Sequence, residues 1–121
     1  EMWYPGTFME YALWEYKDDA WRVRPVYHAV AMFTRLTERG DKVRRCDSSS
    51  PSHIEGAFVA DTLFWVNQSD ETAEVEIKGI SPKEIRIYTE QTIEGDRETG
   101  TTVAPAEGKF SAPPQSFGYA R

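Results

Sequence analysis

A mainly β fold, an antiparallel β-sandwich preceded by a short strand and one α-helix, is what this sequence predicts. Three observations carry that expectation. Apolar residues recur at helical spacing over one stretch before Gly40, and the period falls to two after it. Turn signals then punctuate the chain at Asn67-Gln68-Ser69-Asp70, Gly79 to Pro82, Glu94-Gly95-Asp96, Thr99-Gly100, Glu107-Gly108 and Pro113-Pro114. Between them lie about seven or eight short runs of strand character, the spacing of a sandwich or barrel.

Taken in order, residues 7–16 hold an apolar-aromatic run that reads as a buried strand, and Lys17-Asp18-Asp19 supplies a polar turn. Pro25 suits the first helical position, where its missing N–H has no intrahelical partner. Ala29, Val30, Met32, Phe33 and Leu36 then define one broad apolar face of a helix over 25–38. Arg35, Glu38 and Arg39 lie off that face, and Gly40 stands where a helix C′ residue is expected. Ile54–Val59 and Thr62–Asn67 are two strand candidates, with Asp61 at a turn or bulge between them or both in one bent strand. The clearest strand is 72–78, with Ala73, Val75 and Ile77 on one face and charge on the other. Residues 84–88 repeat the alternation, and shorter runs centre on Ile93, Val103, Phe110 and 116–119. The Ser48-Ser49-Ser50-Pro51-Ser52 stretch is a loop, and no internal repeat is present.

The 121 residues suit one compact domain or a small domain with an appendage. At 40% hydrophobic and 13% aromatic, the chain has material for a core and is not expected to be disordered. A formal charge of −6 argues against a phosphate-dominated nucleic-acid binder. No apolar stretch reaches the roughly 18 residues of a membrane-spanning helix. Cys46 is the single cysteine, which excludes an internal disulfide and a multi-cysteine zinc motif. The chain opens on Glu1-Met2-Trp3-Tyr4-Pro5 without the pattern of a signal peptide, and its early aromatics suggest a piece of something longer.

Several stretches, in this order, look like the end of a clan-A glycoside hydrolase, in which a (β/α)8 barrel is followed by a small β-sandwich. Tyr11-Ala12-Leu13-Trp14-Glu15-Tyr16 resembles the eighth barrel strand, and Arg24 to Phe33 resembles the final barrel helix. Gly40-Asp41-Lys42-Val43-Arg44 resembles the lead into the sandwich, and Asp61 to Ser69 its central strand. Phe110-Ser111-Ala112-Pro113-Pro114-Gln115-Ser116-Phe117 is similar to the closing strand. The resemblance implies a strand–helix segment over 1–40 and an ancillary sandwich over 41–121. It implies a parent enzyme acting on polysaccharides or glycosides, with a catalytic barrel and its carbohydrate substrate as partners. The two carboxylates a retaining glycosidase needs would lie on barrel strands four and seven, before Glu1, so no catalytic residue is expected in this chain.

Trp14 is the substrate-binding candidate: at the end of the eighth strand its ring would stack on a sugar face, the plain alternative being a core tryptophan. Glu15 points the other way along the strand. Trp3, Tyr4, Trp21, Trp65 and Tyr88 are the rings available to a free-standing carbohydrate-binding module, with Trp65 more easily placed in the core and Tyr88 expected at the surface. An immunoglobulin-like interaction domain is a third reading of the same fold. Asp47, Ser48 to Ser50 and His53 include the residue types of a hydrolase triad without its order, and a polar loop explains them. His28, His53 and Cys46 lack metal-ligand spacing, so no metal or cofactor is expected. His28 reads as a packed or rim residue and Cys46 as half-buried. Asn67-Gln68-Ser69 fits a glycosylation sequon, and Glu90, Glu94, Asp96 and Glu98 form an acidic loop. Apolar surface is expected around Phe8, Leu13, Val30 and Phe33, with a tendency to self-associate and no affinity for membranes.

Overall fold

The computed structural model describes residues 13–89, 93–94, 97–98, 101–103 and 108–121. Expectations that fall on residues 1–12, including Phe8, Trp3 and Tyr4, lie outside the described residues, as do Glu90 and Asp96 of the acidic loop. Among the described residues, mainly antiparallel β structure with one helix is what forms.

The first described element is a hairpin, β1 (Trp14–Lys17) and β2 (Ala20–Val23), paired Lys17 to Ala20 around a two-residue turn. Asp18 and Asp19 both take positive φ, 53° and 59°, the left-handed pair that matches the twist of a hairpin. The turn was legible; β2 after it, and the exposure of β1, were not. Helix α1 runs Pro25–Leu36 with Pro25 in its first turn. Thr37 ends it in an extended conformation, so Gly40, with φ of 103°, belongs to the following turn and not to a helix cap.

The strands that follow are β3 (Val43–Arg45), β4 (Ile54–Val59), β5 (Thr62–Asn67), β6 (Ala73–Glu76) and β7 (Ile85–Tyr88). After them come β8 (Ile93–Glu94), β9 (Arg97–Glu98), β10 (Thr101–Val103), β11 (Lys109–Ala112) and β12 (Ser116–Ala120). Six strands form one sheet in the order β10-β7-β12-β5-β4-β3, while β11 pairs with β6 and β8 with β9. β4 and β5 are separate strands joined at Ala60 and Asp61, since Val59 pairs directly with Thr62.

Both faces of the large sheet are covered. On the inner face, Leu63, Trp65, Ile85, Ile87 and Ala120 pack against Phe110 and Ala112 of β11 and Ile77, the residue after β6. On the outer face, Phe64, Tyr88, Phe117 and Tyr119 cluster with Met32 and Leu36 of α1. Double cover explains why β5 and β12 read as continuous apolar runs while β6, open on one face, alternates. Gly118 lies opposite Trp65, and a Cβ there would sit 2.7 Å from the indole Cζ2 and run into the Arg86 carbonyl oxygen. Glycine at that position lets the indole lie flat on the central strand.

Candidate functional site

Trp14, the predicted sugar-stacking residue, stands on β1 and is 47% exposed. The register puts Tyr16 and Trp21 directly opposite each other, on the same face as Trp14 by the two-residue period of a strand. Tyr16 and Trp21 are also about half exposed, and their ring centroids lie 5.4 Å apart in a tilted pair. Trp14 in turn leans on Tyr27 of α1, centroid to centroid 5.5 Å. The hairpin therefore presents three large rings on one surface, held to the helix through Trp14. Glu15 falls on the opposite face of the strand.

The other predicted rings do not join them. Trp65 is buried in the inner core, tilted against Phe110 at 5.0 Å, as its apolar neighbours suggested. Tyr88 corrects the expectation of a surface ring: it is 1% exposed and stacks on Phe117 at 5.2 Å. Its face was read correctly as that of Glu84 and Arg86, but α1 covers that face.

The Asp47–His53 loop brings together only a pair. Ser50 Oγ lies 3.0 Å from His53 Nδ1, whereas Asp47 turns away into an exposed ion pair with Arg45 at 3.0 Å. With the acid engaged elsewhere, this loop has no orienter for the imidazole and its Ser–His contact closes a turn. The sequon is likewise structural. Asn67 is 1% exposed; its Nδ2 donates to the carbonyl oxygens of Glu71, Ala112 and Pro113, at 2.8, 3.1 and 2.9 Å. Its Oδ1 accepts from the amide and hydroxyl of Ser69, at 3.0 and 2.7 Å. The amide nitrogen a glycan would need is thus sealed in a junction between the loop after β5 and the one after β11.

A second polar junction closes the end of β12. Glu84 accepts from Arg86 and Tyr119 on Oε1 and from Arg121 on Oε2, each at 3.1 Å. Burial pushes the Glu84 carboxyl up, but the hydrogen bonds from Arg86, Arg121 and Tyr119 outweigh it and hold the group below the ordinary carboxylate range. Burial and the facing carboxylate together push the Tyr119 phenol up.

His28 is buried on α1, edge-on to Tyr27, and neither ring nitrogen has a hydrogen-bond partner. Cys46 is half-buried as expected. Among the described residues, no three histidine, cysteine or carboxylate side chains gather as metal ligands, and no helix is long and apolar enough to cross a membrane.

A groove of about 610 Å³ runs between β4 and β6, floored by Phe58, Leu63 and Trp65 and walled by the 45–53 loop. Sequence reasoning missed it, because each of its walls reads as an ordinary strand or loop and only their separation creates the space. No protein-family model, curated protein or solved structure matches this chain.

Proposed function

We propose that this chain is the non-catalytic C-terminal β-sandwich portion of a glycoside hydrolase acting on polysaccharide or glycoside substrates, packing against and supporting the catalytic barrel. The observation that carries the reading is the second apolar face of α1. Met32 and Leu36 pack on the sheet and Phe33 leans its ring on Phe64 at 5.0 Å, yet Val26, Val30 and Phe33, spaced four and three residues apart, stay 43–44% exposed along one stripe. A helix apolar on two sides is built to be covered on two sides. The β1–β2–α1 segment is where the resemblance puts the last barrel unit, so a barrel is the cover that fits the stripe. In that assembly Trp14 lines the sugar site, and the acid and the nucleophile belong to the barrel.

The test is to recover the native product with an antibody against this chain. A product several times the mass of these 121 residues, hydrolysing aryl glycosides after purification, is the expected result. A native product of this size, or a larger one inert on a broad glycoside panel, overturns the proposal.

A second reading, a free-standing carbohydrate-binding module, is favoured by one observation, the shared face of Trp14, Tyr16 and Trp21. Quenching of tryptophan fluorescence by soluble glycans in the isolated chain, lost in Trp21→Ala, would select it.

A further inference from the structure

The two layers of the sandwich are unequal. Among the described residues, the large sheet has six strands, and the layer opposite it has β6 and β11. β6 therefore has one edge against β11 and another that faces the groove. The groove is lined by residues 73–78 and by β4 and β5, but by no residue of β11. It occupies the place of a third strand beside β6.

The phase of the hydrogen bonds identifies what that edge offers. Ile77 N–H donates to the Gly108 carbonyl at 2.9 Å, which makes 77 and 108 a hydrogen-bonded pair of the antiparallel ladder. Alternation then turns the backbone groups of Val75 and Ala73 toward β11 and those of Glu74 and Glu76 toward the groove. Side chains follow the complementary pattern. Ala73, Val75 and Ile77 point into the core, whereas Glu74 and Glu76 are exposed on the outer surface. Under the vacant position lie Ile54, Phe58 and Cys46, packed against the core but only partly buried.

We infer that the groove is a strand-addition site for an extended peptide that alternates apolar and basic residues. Main-chain bonds to Glu74 and Glu76 would hold such a segment, its apolar side chains would complete the layer over Phe58 and Ile54, and its basic ones would stand beside the two glutamates. β6 spans four residues, about 13 Å at the usual rise per residue, so a short segment suffices. Charge also decides against a second copy of this chain as the occupant. Two β6 strands paired antiparallel would place Glu74 opposite Glu76, a repulsive cross-strand contact. This inference stands apart from the proposed glycoside hydrolase, since the groove lies across the large sheet from α1.

The experiment follows amide hydrogen exchange of the full chain by NMR, with a capped hexapeptide of alternating lysine and valine as the probe. The peptide is expected to slow exchange of the Glu74 and Glu76 amides at least tenfold at saturation, leaving Val75 unchanged. The double variant Glu74→Lys, Glu76→Lys is expected to lose that protection and to gain it from the glutamate–valine counterpart. Unchanged exchange at both amides in millimolar peptide overturns the inference, as does protection that ignores the charge swap. A soluble oligosaccharide that shifts Phe58 and Trp65 resonances while the peptide does not would overturn it too, making the groove a glycan site.

Discussion

The centre of the six-stranded sheet and the hairpin–helix segment that precedes it are built to different standards of closure. At the centre, Asn67 and Ser116 are 1% exposed and each is hydrogen-bonded, the serine through a 2.6 Å bond to the Pro113 carbonyl. The indole N–H of Trp65 is left there without an acceptor. In the segment, a fully buried His28 has no partner at either nitrogen, while Trp14, Tyr16, Trp21, Val26, Val30 and Phe33 are each about half exposed. Buried polar groups are ordinarily satisfied and large apolar ones covered. Apart from that indole, the sandwich centre comes close to both conditions with its own residues. The segment departs from both, and holds most of the large apolar side chains exposed among the described residues.

The comparison breaks most readily at Asn67. Asn67→Ala removes bonds to three carbonyl oxygens and to Ser69; the Pro113 carbonyl keeps the Ser116 hydroxyl and the Glu71 carbonyl keeps the Ser69 hydroxyl as other donors. Leaving such groups buried and unpaired costs roughly 1–3 kcal/mol each, partly relieved by water, so a loss of about 3 kcal/mol is expected. Urea unfolding measures it as a lowered midpoint at constant slope. A change below 1 kcal/mol would mean that the two loops are not locked together and that the centre is less complete than the geometry indicates.

Glu84 gives the next largest effect and adds a pH signature. Its carboxyl is held below the ordinary glutamate value of 4.5 by Arg86, Arg121 and Tyr119. The stabilisation is therefore fully present above that ordinary value and is lost as pH falls through the lower folded value. Glu84→Gln is expected to cost about 1–2 kcal/mol at neutral pH, with the difference from the parent chain closing on acidification below about 4. A constant difference across that range would show that the junction is held by shape and neutral hydrogen bonds instead of charge.

How far the sequence foretold these two regions follows from how local each constraint is. The central strands were legible because β5 and β7 carry their pattern within a few residues, and Pro25 marked the helix start. Tyr88 was placed on the right face and given the wrong exposure, since parity along a strand cannot reveal that a helix 50 or more residues earlier will lie over it. The role of Asn67 was hidden for the same reason: two of its acceptors are 45 and 46 residues away, and the local signal spelled a sequon. β2 escaped notice because Ala20-Trp21-Arg22-Val23 is too short to show a period. The groove has no local signature at all, being a strand's worth of space that two sheets of unequal size leave open.

His28 sharpens the contrast from the other side. A buried polar ring without partners is replaceable by an apolar one at no loss, because nothing it bonds to is left behind. His28→Leu is expected to be neutral or to stabilise the isolated chain by up to about 1 kcal/mol. Destabilisation beyond 2 kcal/mol in thermal or urea unfolding would mean that the ring is bonded in solution, and the segment would then be more finished than it looks.

The smallest expected effect on stability is the most direct test of what the segment is for. Val30 sits in the middle of the exposed stripe of α1, flanked by Val26 and Phe33, and contributes to neither apolar cluster. Val30→Lys is thus a surface change, expected to alter stability by no more than about 0.5 kcal/mol. The stripe itself, however, is the surface through which the isolated chain is expected to self-associate, so the same substitution should shift its sedimentation toward monomer. A cost of 2 kcal/mol or more with no change in association would assign the stripe to the fold of this chain. Monomer formation at unchanged stability would leave it as an interface, and the hairpin and helix as the part of the molecule whose packing is completed by a partner.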